Sequence, residues 1–467
     1  MLIENWDGKQ TLSEATPERP HCIAEVVRIV KQSGRRRIRA VGSRHSMTTC
    51  TLADDGVMID MTAMNRILWV DRERLLVRVE AGALYLDIAR ELTRHDLQFH
   101  INTEIGNLTA GSAACCGTKD GAFSIDLEPE YGQVSSYVTA VKLVRADGAV
   151  VEIDEARDPD LMRVVRGSYG LLGIVVEVTF RVKKMQALSV RHRTYTLDQF
   201  LDELPTLRQQ HQSLMLYILP FARTVMVELR SYRPDLRPTR RWPWWIRNLI
   251  WGTVSPVTAK LVTAVVPFRP LRYTILLSLG RAVQRLAPVL LRSDNTVPDA
   301  QTIRYAKRVN WRRYVFSFWA FRETDYPGVL REYCDFYASY YRETRYRPNL
   351  FTVGYRVNKD TSSILSYSAD GAAITIDPVS TGGPEWDRFL DAYNDFASAH
   401  HGIPLLNQTP ALTATQVRRA FGDQLKILNA ACEAWDPEGR FFTSYFRTLL
   451  PERQVSRRSV GTGRRHR

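Results

Sequence analysis

The segment Leu75–Glu80 (LLVRVE) alternates apolar and polar residues, the period of a strand with one buried face. Leu84–His95 (LYLDIARELTRH) instead spaces its apolar residues three and four apart, as an amphipathic helix does. These two periods alternate through the first 185 residues. Helical spacing marks Glu25–Gln32 and a segment near 160–166. Strands are predicted at Ile38–Val41, Gly56–Asp60, Tyr137–Val144, Val150–Ile153 and Leu171–Val182, with an Asp-Gly turn at 147–148. The pattern predicts an α+β lobe of mixed topology over 1–185. From 186 to about 425 a second lobe is expected, a sheet backed by helices. Its strands are read at 214–219, 224–230, 314–321, 351–356, 363–367 and 372–376, and its helices at 327–342 and 385–400.

A chain of 467 residues that is 45% hydrophobic can bury more than one core. Its net charge of +14 is unevenly placed. Residues 230–285 hold eleven Lys/Arg and one acid, Asp235, and the tail after Glu452 holds six Arg and no acid. The rest is near neutral, so the charge does not spread over a docking face for nucleic acid, and no nucleic-acid-binding motif is present. Cys22, Cys50, Cys115, Cys116, Cys334 and Cys432 show neither CxxC spacing nor a framework pattern. They are read as reduced thiols of a cytosolic-type compartment, and no metal site is expected. The opening MLIENWDGKQ lacks the features of a signal peptide. The tail 451–467 is basic and expected to be disordered.

Four short stretches carry candidate chemistry. VGSRHS (41–46) ends a strand in Gly and small hydroxyl residues, exposing backbone N–H groups that suit a pyrophosphate. IGNLTAGSAACCGTKDG (105–121) is a second glycine-rich stretch, without the G-K-[ST] of a phosphate loop. SYGLLGIVVEVTFRV (168–182) sets Gly170 and Gly173 before a buried strand, and DPEGRFFTSYF (436–446) is a turn before an aromatic terminus. Each alone is equally a plain turn.

Together, in this order and spacing, they resemble the vanillyl-alcohol oxidase / p-cresol methylhydroxylase superfamily of flavoproteins. The sugar-lactone and alditol oxidase branch is the most similar. The resemblance covers nearly all of 5–185 and the final folded turn. It implies a two-lobed FAD-binding domain of the p-cresol methylhydroxylase type over 1–185, an α+β cap domain over 186–425, and a return of 426–450 to the FAD domain. It implies FAD bonded through its 8α-methyl group to His45. Val41, Gly42, Ser43, Arg44 and Ser46 would line the cofactor, Gly106, Asn107, Leu108, Thr109, Gly111, Ser112 and Gly117 its pyrophosphate side, Gly170, Gly173 and Ile174 its adenine side, and Tyr445 its C-terminal edge. Cys115 and Cys116 follow the glycine-rich loop where bicovalent relatives have a cysteine before it, and are expected to be inert.

The activity implied is hydride transfer from a CH–OH carbon to the flavin, with O2 or a quinone-type acceptor as reoxidant. The branch's Glu-x-Arg in the cap aligns with Gly354 and Arg356, so Arg356 and the neighbouring strand residue Thr375 are the catalytic candidates. The missing glutamate, and the missing His-Trp-Gly-Lys run at 401–413, argue against a sugar substrate. The segment 237–291 interleaves Trp242, Trp244, Trp245 and Trp251 with arginines. It suits either packing of the cap or a peripheral membrane contact by a protein otherwise expected in the cytoplasm. Two rival readings are a C=C reductase, desaturase or natural-product oxidase on a lipid-like substrate, and a non-catalytic flavin-binding scaffold.

Overall fold

In the computed structural model, residues 3–6, 11–12, 16–118, 120–123, 131–305 and 310–450 are described; the basic tail expected to be disordered lies outside them. The first lobe opens with α1 (Ile23–Gln32), whose Val26, Ile29 and Val30 are buried along one face. β1 (Ile38–Val41) and β2 (Val57–Asp60) then pair in parallel. β3 (Ile67–Asp71), β4 (Leu76–Glu80), β5 (Val138–Val144), β6 (Val150–Asp154) and β7 (Ile174–Arg181) form a five-stranded antiparallel sheet in the order β3-β4-β7-β5-β6. β7 is central and buried on both faces, which explains its nearly unbroken apolar run. α2 (Tyr85–Arg94), the short α3 (Ala110–Cys115) and α4 (Pro159–Val165) cover the lobe.

The cap is an eight-stranded sheet. Its strands are β8 (Ala187–Thr196), β9 (Ser213–Leu219), β10 (Thr224–Arg233), β11 (Ser293–Thr296), β12 (Trp319–Arg322), β13 (Thr352–Val357), β14 (Ala373–Thr375) and β15 (Ile403–Pro404). The order across the sheet is β11-β8-β10-β9-β13-β14-β12-β15. α5 (Leu197–Gln210), α9 (Tyr326–Thr344) and α10 (Pro384–Ala399) are amphipathic, and their buried faces join Leu214, Leu216 and Ile218 of β9 in one core. The other face of the sheet carries Met215, Tyr217 and Met226. Over it lie α6 (Trp242–Leu249), α7 (Ser255–Val265) and α8 (Arg269–Leu290). After β15, α11 (Ala414–Phe421), α12 (Gln424–Trp435) and α13 (Ser444–Leu449) pack on the first lobe, where Phe441, Phe442 and Phe446 enter its core.

Two predicted strands differ. Residues 363–367 form turns, because Asp360 accepts hydrogen bonds from the backbone and hydroxyl of Ser362 at 2.9 and 2.6 Å and its carbonyl accepts from Ser366. The run 314–321 is broken: Val315–Phe316 pairs with Val379–Ser380, and Trp319–Arg322 joins the large sheet.

Candidate functional site

The turn after β1 is the front of a deep cavity. Val41, Gly42, Ser43, Arg44, His45 and Ser46 line it, facing Leu108, Thr109, Gly111 and Ser112 at the start of α3 and Gly170 and Gly173 before β7. The walls approach closely. A Cβ on Gly42 would sit 2.2 Å from Thr109 Oγ1, so only glycine fits. Gly111 N donates to Ala81 O at 2.8 Å, drawing α3 against the end of β4. Gly170 adopts φ +75°, which a side chain rarely tolerates. The turn is pinned from far along the chain: Ser46 Oγ and Met47 N both donate to Asn407 O at 2.9 Å, and Thr48 Oγ1 donates to Leu406 O at 3.0 Å. His45 lies against Trp6, ring centroids 4.7 Å apart, while Trp6 Nε1 donates to Tyr314 O of the cap at 2.7 Å.

Residues that sequence reasoning did not single out complete this cavity. Arg39 lines it, 5% exposed, with no carboxylate partner among the described residues and an unpaired Nε. Asn407 and Gln408 present buried side-chain oxygens that lack hydrogen-bond donors among the described residues. Unpaired buried polar groups are costly without a ligand. A buried cation, unsatisfied amides and close glycine walls, too tight for a Cβ at Gly42 and Gly173, fit an anionic dinucleotide. Cys115 and Cys116 also line the cavity; the Cys116 thiol is pushed well up by its hydrogen bond to Cys115 and by burial.

Five predicted contacts are elsewhere. Gly106 packs beneath Leu86 and the Ile303 carbonyl. Asn107 locks the cap, accepting from Tyr305 N at 2.7 Å and donating to Tyr305 O at 3.3 Å. Gly117 packs on Leu405, and its carbonyl accepts from Asn407 Nδ2 at 3.1 Å. Ile174 points into the core while its neighbour Val175 reaches the cavity. Tyr445 donates to Leu406 O and lines a separate cleft beside Met47 and Trp386.

Ile105, Thr118 and Gln408 are shared walls with a second cavity, under the cap sheet. This one is aromatic and aliphatic: Tyr217, Trp251, Tyr314, Phe316, Phe351 and Tyr355 dominate its lining. Glu104 lines it next to the shared Ile105, its side chain 15% exposed. Glu104 Oε1 accepts from Tyr305 OH at 2.6 Å, and Oε2 accepts from Arg247 Nη2 at 3.3 Å and Tyr355 OH at 3.4 Å. Tyr314 OH donates to Tyr305 OH at 3.0 Å. Burial and the Glu104 charge push the Tyr305, Tyr314 and Tyr355 phenols up, so they stay protonated donors.

Behind Glu104 the charges continue inward. Arg247 Nε donates to Glu228 Oε2 at 3.1 Å, Arg230 Nε to Glu228 Oε1 at 2.6 Å, and Arg230 Nη1 to Asp120 Oδ1 at 2.8 Å. Asp120 Oδ2 accepts from Glu104 N at 3.0 Å, closing the loop. Burial pushes the Glu228 carboxyl up, but Arg247, Arg230 and the His192 hydrogen bond outweigh it and hold it well below the carboxylate range. The only sequence signal for this cluster was Glu228 and Arg230 at alternate positions of an otherwise apolar strand.

The two catalytic candidates need correction. β13 pairs with β9 so that Val353 and Tyr355 face Tyr217 and Met215 across the cavity, while Gly354 opposes Leu216 on the helix-backed face. Arg356 therefore points the other way, where Arg356 Nε donates to Glu323 Oε1 at 2.6 Å beside Arg208 of α5. It lines neither cavity. Thr375 is fully buried within the sheet; its hydroxyl accepts from Tyr355 N at 3.1 Å and donates to Asp377 Oδ2 at 3.2 Å. Asp377, not Thr375, reaches the cap cavity.

Comparison with known proteins agrees with this geometry. Residues 15–154 match the FAD binding domain family, and residues 178–449 match the D-arabinono-1,4-lactone oxidase family. The chain is 25% identical to L-gulono-1,4-lactone dehydrogenase of Mycobacterium tuberculosis over 96% of its length and 99% of that protein. It is 30% identical to mouse (Mus musculus) L-gulonolactone oxidase over 43% of the chain and 45% of that protein. The fold is shared with cholesterol oxidase from B. sterolicum, with a TM-score of 0.76, 16% identity and 96% of each chain covered. A two-lobed FAD-binding fold with a cofactor cavity opening under a cap defines a flavoprotein oxidoreductase of the p-cresol methylhydroxylase type, with FAD as its cofactor. Within that class the chain belongs to the D-arabinono-1,4-lactone oxidase family, whose match spans more than half of it.

Proposed function

We propose that this oxidoreductase takes a hydride from the CH–OH carbon of an elongated, largely apolar alcohol lying in the cap cavity. The observation that carries the reading is the composition of that cavity: mainly aromatic and aliphatic walls with two carboxylates, Asp377 and Glu104, the latter next to Ile105 in the wall shared with the cofactor cavity. A polyol or sugar lactone would strand its hydroxyls against such walls, each at a cost of about 1–3 kcal/mol.

Bound FAD supplies the two-electron acceptor. The gully formed by Gly42, Thr109, Gly111 and Gly170 holds its dinucleotide part, and Arg39 faces its negative charge. His45 is the covalent attachment point, held in its turn by Trp6. Tyr217, Trp251 and Phe351 exclude water and align the alcohol. Glu104 accepts the hydroxyl proton; Tyr305 and Arg247 fix both its oxygens so that it presents one orientation to the substrate. O2 or a quinone-type acceptor removes the electrons afterwards.

Two measurements test this. Acid-precipitated, washed protein should keep its yellow colour and flavin fluorescence, and His45→Ala should lose both; flavin washing off the unmodified protein rules out the attachment. Anaerobic mixing with prenyl alcohols should bleach the flavin faster than mixing with sugar lactones. The reverse order removes the apolar-substrate reading.

A further inference from the structure

α7 and α8 expose an apolar surface that no other part of the described chain covers. Leu261, Val265, Phe268 and Leu271 at their junction are 51%, 68%, 65% and 51% exposed. Along α8, Leu279, Leu286 and Leu290 follow one another at intervals of seven and four residues, on one exposed stripe. Arg281 and Arg285, with Arg292 just past the helix, are exposed on its other flank, with exposed Ala282 and Val289 between them and the leucines. Residues 236–292 contain ten Lys/Arg and no Asp or Glu; of these Arg247 is buried against Glu228, and Arg241 and Arg269 pair with Asp299 and Glu385. Exposed apolar side chains flanked by an excess of exposed arginines, with the ion pair Arg269–Glu385 at the start of α8, complement a surface that is negative outside and apolar within. A protein partner would be met by a rim of both signs, and a nucleic acid by no exposed leucines. No described helix is long and apolar enough to cross a membrane, so the contact is one of lying on the surface.

A groove runs beneath this face. Leu219, Phe221, Leu276, Gly280 and Val283 line it, and its inner walls, Ser255, Leu350 and Phe351, are also walls of the cap cavity. Gly280 keeps it open: a Cβ there would lie 3.2 Å from Leu219 and 3.5 Å from Phe351. Residues 250–254 widen into a π-helical turn between α6 and α7, a distortion frequent at functional sites; Ile250 and Val254 line the groove and Trp251 the cap cavity.

We infer that the α7–α8 face docks on an anionic lipid bilayer and that the groove admits an apolar substrate from that bilayer to the cap cavity past Leu350 and Phe351. The second half rests on the apolar-alcohol reading above; the first does not.

The full-length, FAD-loaded protein is sedimented with vesicles of phosphatidylcholine alone and with about 30% phosphatidylglycerol added. It should bind the anionic vesicles at least about tenfold more strongly. Val265→Asp/Phe268→Asp and Arg281→Glu/Arg285→Glu should each abolish most of that gain with the flavin spectrum unchanged, since these side chains are exposed. Equal binding to both vesicle types, or binding indifferent to both double variants, overturns docking. So does a dimer in solution that Val265→Asp/Phe268→Asp dissolves, which would make the face a self-association surface. For the groove, Gly280→Leu should slow flavin bleaching by vesicle-borne farnesol at least about tenfold while leaving bleaching by soluble prenol and vesicle binding unchanged. Val283→Trp narrows the same groove and guards against a folding defect in the first variant. Unchanged farnesol bleaching in both overturns the groove's role. If neither alcohol bleaches the unmodified flavin, the functional reading and the groove's role fail together, and docking still stands or falls on the vesicles.

Discussion

Glu228 is the keystone of the charge cluster behind the cap cavity, and its neutralisation is the sharpest test of that cluster. Its side chain is 0% exposed, as is that of Arg230, and that of Arg247 is 1% exposed. Its two oxygens accept from Arg230, Arg247, His192 and Tyr217, all between 2.6 and 3.2 Å. Glu228→Gln keeps the shape and substitutes an amide that must turn its NH2 toward a guanidinium or the tyrosine hydroxyl. Removing one partner from a buried ion pair costs about 3–5 kcal/mol, chiefly because the remaining charges stay buried. Glu104→Gln should cost less, because Glu104 is partly exposed and meets a single guanidinium. The assay is thermal and urea unfolding of holoprotein, followed by tryptophan fluorescence and flavin release. The pH dependence carries the sign. Glu228 is held below its unfolded carboxylate pKa, so its contribution is fully present above that unfolded value and is lost only as pH falls through the depressed folded value. The gap between the unmodified protein and Glu228→Gln should therefore be constant from pH 8 to pH 5 and close only at more acid pH. A Glu228→Gln protein within about 1 kcal/mol of the original would refute the account of Arg230 and Arg247 as charges held in place by Glu228.

Other outcomes follow from the same geometry. Glu104→Gln should lower the rate of anaerobic flavin reduction, followed by stopped-flow, about 10²- to 10⁴-fold, the usual worth of a positioned general base. Gly42→Ala should yield protein that purifies without yellow colour, and Gly42→Ala/Thr109→Gly should regain part of it, because the clash is with the Thr109 side chain. Arg356→Ala should lower stability by breaking the ion pair with Glu323, yet leave the flavin spectrum and the rate of flavin reduction within about threefold. A large rate loss at constant stability would return Arg356 to the active site.

What was legible in the sequence was local. The turn 41–46 announces itself because glycine, serine and histidine stand together after a strand, and all six residues line the cofactor cavity. Long periodic segments such as Leu84–His95 and Leu171–Val182 were equally plain. Arg39, Asn407 and Gln408 were not, because nothing near them in sequence hints at a wall built from segments more than 360 residues apart. Arg356 was misassigned for a different reason. In a strand one residue of register exchanges the faces, and whether Gly354 and Arg356 or Val353 and Tyr355 look into the cavity is decided by the pairing with β9. Ser363–Tyr367 has the alternation of a strand, but Asp360 captures Ser362 just before it and Ser366 within it.

The pinning of the His45 turn by Leu406 and Asn407 also sets a clock on maturation. During synthesis the chain emerges from its N-terminus, so the glycine-rich walls are made early and the residues that close them come at positions 406–408 of 467. Until then Ser46 has only its local bonds, such as that to Thr48 O, the Thr48 hydroxyl lacks the Leu406 carbonyl, and the cofactor would have only part of its wall. Loading of FAD is then expected to wait until residues 406–408 have been made. Nascent chains truncated before residue 406 should emerge colourless even where their first lobe has already collapsed.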